Sequence, residues 1–173
     1  MRKFYRTVVF IVLLFVCCAA APIPWRRIRL ESSGTIMLPS TWNIIAESSP
    51  ALENAYGKGV FCRSLLSAQE GNATLAILTY WPAPEKTSSE VASDIARSLR
   101  GSLDSSRRNP AGEMQFGNMR VSSVTYNLDT ENAQKVSAFI REGKIYSIIM
   151  TYRRNDENKI VKLIQRIISR WSF

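Results

Sequence analysis

The search for chemistry in this chain turns first on what it lacks, because none of its 173 residues is histidine. That removes the commonest general base at neutral pH and the commonest zinc ligand. Of the three cysteines, Cys17 and Cys18 fall in an N-terminal apolar run, which leaves Cys62 alone in the rest of the chain. One thiol cannot build a zinc site, and neither a Cys–His pair nor a Ser-His-Asp triad can exist without histidine. Paired carboxylates are the remaining hydrolytic option. The closest pairs are Asp129/Glu131 and Asp156/Glu157. Both fall in turns flanking strands or a helix start, where capping accounts for them better. Gly57-Lys58-Gly59 is too short for a phosphate cradle and precedes a strand rather than a helix. Serines are abundant, so a Ser–Lys dyad stays open, but nothing singles one out. No residue is therefore assigned as catalytic, cofactor-binding or metal-ligating, and a hydrolase of unknown type is the weakest of three readings.

Cations are the feature that remains. Lys159, Lys162, Arg166 and Arg170 recur at intervals of three and four, on one side of a C-terminal segment whose other side is apolar. Arg153-Arg154 stands just ahead of them. Such a stripe is ordinarily a solvated face that keeps an amphipathic helix soluble. The sharper reading makes it a docking surface for an acidic protein partner or for an anionic membrane surface. A formal charge of +9 favours acidic partners over neutral ones. Scattered arginines without a groove-reading helix speak against nucleic acid. Asn72-Ala73-Thr74 matches a glycan acceptor triplet, which matters only in a secretory pathway that glycosylates.

The elements that must position these residues begin after a leader. Arg2, Lys3 and Arg6 precede the apolar run Val8–Val16, and small residues follow it. This is the layout of an export signal. A membrane-spanning helix needs about 20 apolar residues, and Val8–Trp25 approaches that only by including the helix-ending Pro22 and Pro24. Cys18-Ala19-Ala20 places small residues before a cut at Ala21, so cleavage is the first expectation. The alternatives are an uncleaved anchor, helped by Trp25 as an interfacial aromatic, or lipidation at Cys17 or Cys18, against which Val16 and Phe15 weigh. Arg26, Arg27 and Arg29 follow closely and oppose translocation. The division is thus 1–20, signal peptide or membrane anchor, and 21–173, a single α+β domain, exported to the periplasm or held at the membrane. Losing the leader lowers the charge from +9 to +6.

Downstream, "WRRIRLESSGTIMLPSTW" reads as two short strands about a Ser-Ser-Gly turn, with Pro39 ending the second. Residues 47–59 read as loop. "GVFCRSLLSA" and "ATLAILTYW" are strands about a Gln-Glu-Gly-Asn turn, and the second is apolar on both faces, as in a sheet covered on both sides. Cys62 then reads as a buried strand residue, with a free reactive thiol as the alternative. Thr87-Ser-Ser-Glu90 has capping-box spacing and opens a helix carrying Val91, Ile95, Leu99 and Leu103. "EMQF", "MRVSSVTYNL", "AQKVSAFIR" and "KIYSIIMTY" form a meander, with Glu142-Gly143 as its last hairpin turn. Asn155-Asp156 caps the final amphipathic helix. The resulting fold class is α+β: an antiparallel β-sheet of about six strands flanked by helices.

"SGTIMLPSTWN" (Ser33–Asn43) and "REGKIYSIIMTY" (Arg141–Tyr152), within this order of elements, resemble the PsbP-like superfamily, which takes in PsbP and DcrB-type bacterial envelope proteins. The likeness runs from about Ile28 to Trp171. It implies an antiparallel sheet between helices and non-catalytic work as an adaptor, assembly factor or chaperone-like binder. With this leader, it implies a bacterial envelope setting. It carries over no binding residues, and the metal-associated histidines of PsbP have no counterpart here. The expected function is an exported, non-enzymatic binding or assembly module with an unidentified protein partner and no cofactor; the alternative is a small-ligand or lipid binder. The intact mass of the protein isolated from its native envelope should correspond to a chain beginning at Ala21. A mass retaining residues 1–20, or one raised by a lipid on cysteine, would replace cleavage with one of its alternatives.

Overall fold

The computed structural model describes residues 23–46, 50, 62–80, 112–116 and 119–173. Its centre is a seven-stranded, wholly antiparallel sheet. A separate two-stranded ribbon joins β1 (Trp25–Arg29) to β2 (Thr35–Pro39). The sheet strands are β3 (Asn43–Ala46), β4 (Cys62–Glu70), β5 (Ala73–Tyr80), β6 (Gly112–Phe116), β7 (Met119–Asn127), β8 (Asn132–Arg141) and β9 (Lys144–Arg153). They lie in the order β3-β4-β5-β9-β8-β7-β6, so the last strand of the meander returns to the middle and pairs with β5. One helix, α1 (Glu157–Ser169), follows.

The expected class holds: the main sheet has seven strands, and the first two strands form their own ribbon. The ribbon buries Ile28, Leu30, Ile36 and Leu38 inward. An isolated pair of strands is marginal in water, so this one survives by packing against the sheet. The predicted helix Thr87–Leu103 and the loop 47–59 lie outside the described residues, apart from position 50.

Alternation decides what each face of the sheet carries. Leu75 and Ile77 of β5, Tyr146, Ile148, Met150 and Tyr152 of β9 and Phe139 of β8 join one core cluster with the ribbon and α1. The opposite set, including Leu78, Val124, Val136, Ala138, Ile145 and Ile149, is buried as well. Covered on both faces, these central strands are apolar at nearly every position, as "ATLAILTY" suggested. The β8–β9 hairpin turns at Glu142 (φ 51°) and Gly143 (φ 69°). Positive φ at both centres matches the right-handed twist of the flanking strands.

Helix α1 buries Ile160, Leu163, Ile164, Ile167 and Ile168 against the sheet. Its start is fixed by a polar joint rather than by a cap. Asp156 occupies the N-cap position without a side-chain cap hydrogen bond, contrary to expectation. Instead Glu157 accepts from Lys135 Nζ at 2.8 Å and from the Tyr152 hydroxyl, while Lys135 also donates to Thr125 Oγ1 at 2.7 Å. Burial works to raise the Glu157 carboxyl, but the hydrogen bonds from Lys135 and Tyr152 outweigh it and hold the group below its ordinary value. Tyr152 is pushed well above the usual phenol value by burial, then by its bond to Glu157.

The ribbon is tied down at its turn by the end of the chain. Thr35 N donates to Ser172 O (2.7 Å), Ser172 N to Thr35 O (2.9 Å), and Trp171 Nε1 to Ser33 O (2.8 Å). Trp171 and Phe173 stack with ring centroids 5.3 Å apart, and both meet Phe139 and Tyr146 edge-on. Gly34, at φ +88°, lets the backbones close: a Cβ there would lie 2.8 Å from Phe173 Cα and nearer still to the Ser172 carbonyl.

Gly34→Ala should therefore cost about 2 kcal/mol or more, from left-handed strain and backbone collision together. Thermal unfolding should show a Tm lower by about 5 °C or more; an unchanged Tm would contradict the seam. Because Glu157 has a lowered pKa in the fold, the unfolded chain takes up its proton first on acidification. Its stabilisation is therefore complete above the unfolded value near 4.5 and is lost as pH falls through the lower folded value. The carboxyl is 37% exposed, which keeps the effect small. Lys135→Met should cost about 1 kcal/mol at neutral pH and flatten this acid limb in denaturant titrations. An acid limb identical to wild type would contradict the joint.

Candidate functional site

The four cations singled out in the sequence come together in one place. Successive intervals of three and four put Lys159, Lys162, Arg166 and Arg170 on one side of α1, and all four are exposed. They line a groove of about 850 Å³ between α1, the open end of the β1–β2 ribbon and the β4–β5 turn. That volume falls within the range of small-molecule sites, about 300–1,000 Å³. The ribbon contributes Trp25, Pro39, Thr41 and Trp42, and the sheet contributes Arg153 at the end of β9.

The ribbon side has a local cause. Pro39 ends β2 where a missing N–H is harmless, and Trp42 N donates back to Pro39 O at 3.1 Å. The resulting corner buries Trp42 to 1% exposure, while the Arg26 guanidinium donates to its carbonyl. Trp25 packs only partly against the core. Its ring faces Arg170 at 5.4 Å and Arg166 at 5.7 Å, both within cation–π range.

Among the described residues, five cations (Arg153, Lys159, Lys162, Arg166 and Arg170) thus face two carboxylates, Glu70 and Asp156. Lys159 Nζ lies 4.0 Å from Glu70, a long contact between an exposed ammonium and a half-buried carboxylate. Among the described residues no carboxylate pairs with Lys162, Arg166, Arg170 or Arg153. An anion entering this groove would meet guanidinium donors in a concave setting, and guanidinium suits carboxylate and phosphate alike. Asn72 of the acceptor triplet is exposed on the β4–β5 turn and also lines the groove. A glycan there would narrow its mouth.

Sequence spacing located the helix cations but missed the aromatic that two of them cover. Trp25 is nearly a whole chain away, and no local pattern links it to Arg166. The remaining candidates separate. Asp129 Oδ1 accepts from Glu131 N (2.8 Å) and Asn132 N (2.7 Å), closing the β7–β8 turn. Glu157 and Lys135 are engaged with each other in the joint under α1. Ser123 and Ser137 hydrogen-bond to one another at 2.7 Å, both buried. Cys62 opens β4 opposite Tyr80, and its side chain lies outside the described residues, as does Gly57-Lys58-Gly59. No group of three or more metal-ligating residues gathers among the described residues. None of their helices is long and apolar enough to cross a membrane.

No family model and no curated protein matches this chain. Among solved structures the fold is similar to the solution structure of cyanobacterial PsbP (CyanoP) from Synechocystis sp. PCC 6803, at 10% sequence identity. The superposition covers 89% of this chain and 95% of that one, with a TM-score of 0.59. The PsbP-like resemblance read from Ser33–Asn43 and Arg141–Tyr152 is therefore a resemblance of fold along most of the chain.

Proposed function

We propose that this chain is an exported, non-enzymatic binding or assembly module of the bacterial envelope, and that it holds an anionic partner in the groove between α1 and the β1–β2 ribbon. One observation carries the reading: cations from β9 and from one side of α1 line a single groove, two of them, Arg166 and Arg170, cover the half-buried Trp25, and among the described residues two carboxylates stand beside them. Energetics support it. Exposed charges and surface ion pairs contribute little to folding, about 0–1 kcal/mol each, while like charges gathered in one concavity repel. Stability alone gives no reason to cluster them. The chain's lack of histidine and its export-type leader support the non-enzymatic and envelope parts of the proposal. The PsbP-like fold agrees with a binding role.

A photo-crosslinking amino acid placed at Thr41, on the exposed rim of the groove, should give a defined adduct, protein or lipid, in intact cells. The same probe at Gln115, exposed on the edge strand β6, should not, and Arg166→Glu with Arg170→Glu should abolish the Thr41 adduct. Adducts absent from Thr41, or equal from both positions, would contradict the groove as the working surface.

A further inference from the structure

Resting on the groove as the binding surface, we infer that its occupant is the phosphate-bearing headgroup of an anionic phospholipid at a membrane surface. The charges fit. Lys162, Arg166 and Arg170 are exposed, and no carboxylate among the described residues answers them. Guanidinium forks donate to phosphate oxygens in pairs. The apolar parts fit as well. Ile23, at the mouth of the groove, is 53% exposed, and Trp25, beside the arginines, is only partly buried. Tryptophan beside basic residues is the pairing found where acyl chains give way to headgroups. A basic face on an amphipathic helix next to an apolar segment reads as recognition of anionic lipid.

An acidic protein segment would satisfy the cations equally, but the exposed Ile23 at the mouth of the groove does not favour it.

The test is co-sedimentation of the full chain with vesicles of phosphatidylcholine alone and of phosphatidylcholine containing phosphatidylglycerol. It compares wild type with the triple variant Lys162→Gln, Arg166→Gln, Arg170→Gln. Both proteins carry the same leader, so their difference reads the groove. Each cation near an anionic surface contributes roughly a fivefold factor. The triple variant should bind phosphatidylglycerol vesicles about a hundredfold more weakly, with an unchanged Tm and equal binding to phosphatidylcholine. The difference should shrink as salt rises from about 0.05 to about 0.5 M. Arg170→Gln alone should show a loss of about fivefold, which keeps the test open if the triple variant folds poorly. Equal binding by wild type and variants overturns the inference. So does saturation of the groove by glycerol phosphate as tight as binding to vesicles, which would assign a free phosphate. Groove-dependent binding of polyglutamate without a preference for phosphatidylglycerol assigns an acidic protein. In that case the lipid is lost, while an adduct from Thr41 would leave the binding module standing.

Discussion

Three hydrogen bonds between residues 171–172 and 33–35 determine where the ribbon sits, and the ribbon determines whether there is a groove at all. They join the first described strands to the last residues of the chain. A two-stranded ribbon has little stability of its own. Here it is pressed onto the sheet through Ile28, Leu30, Ile36 and Leu38 and tied at its turn to the tail that follows α1. Gly34 permits the approach, and the rings of Trp171, Phe173, Phe139 and Tyr146 fill the space beneath it. Helix and ribbon thus become neighbours on one sheet face, with the groove along their open side.

The two polar features of this face differ in kind. In the Lys135–Glu157–Tyr152 joint Lys135 and Tyr152 are buried, and both donate to the half-buried Glu157 carboxylate. Breaking it leaves a charge without its partner, so it acts on folding and sets the position of the helix start. The groove cations are exposed and mostly unanswered, and the arginines over Trp25 gain only about 0.5–1 kcal/mol each from the ring. Their gathering gives the fold little and gives an incoming anion a great deal. That contrast separates the structural charges from those assigned to function.

Much of this architecture could be read from residue order, and the exceptions have physical causes. A run apolar on both faces marked β5, and the Glu142-Gly143 turn followed from the φ > 0 requirement of a tight hairpin. The apolar stripe of α1 and its opposing cations followed from helical spacing. Trp171 lies past the end of the helix, where the tail bridges to Thr35. Asp156 read as a cap because of its residue type and position, yet the neighbouring Glu157 found a stronger partner in Lys135, far away in sequence. Pairing between β5 and β9, the separation of the ribbon and the meeting of Trp25 with Arg166 are all long-range outcomes. Local pattern carries no information about them, because each depends on which preformed surfaces pack together. The likeness to CyanoP at 10% identity makes the same point, since a shared arrangement of elements survives with few shared side chains.

The central claim is that the groove between α1 and the ribbon is the surface through which this protein meets its anionic partner. Residue-resolved NMR of the labelled full chain, titrated with nanodiscs of anionic and of neutral lipid, tests it most directly. The account predicts that anionic nanodiscs selectively perturb the Trp25 indole, the Arg166 and Arg170 side chains and the backbone near Gly71, while β6 and the Trp171–Phe173 seam stay unchanged. Perturbation centred on β6, or none near the groove with either lipid, would contradict it.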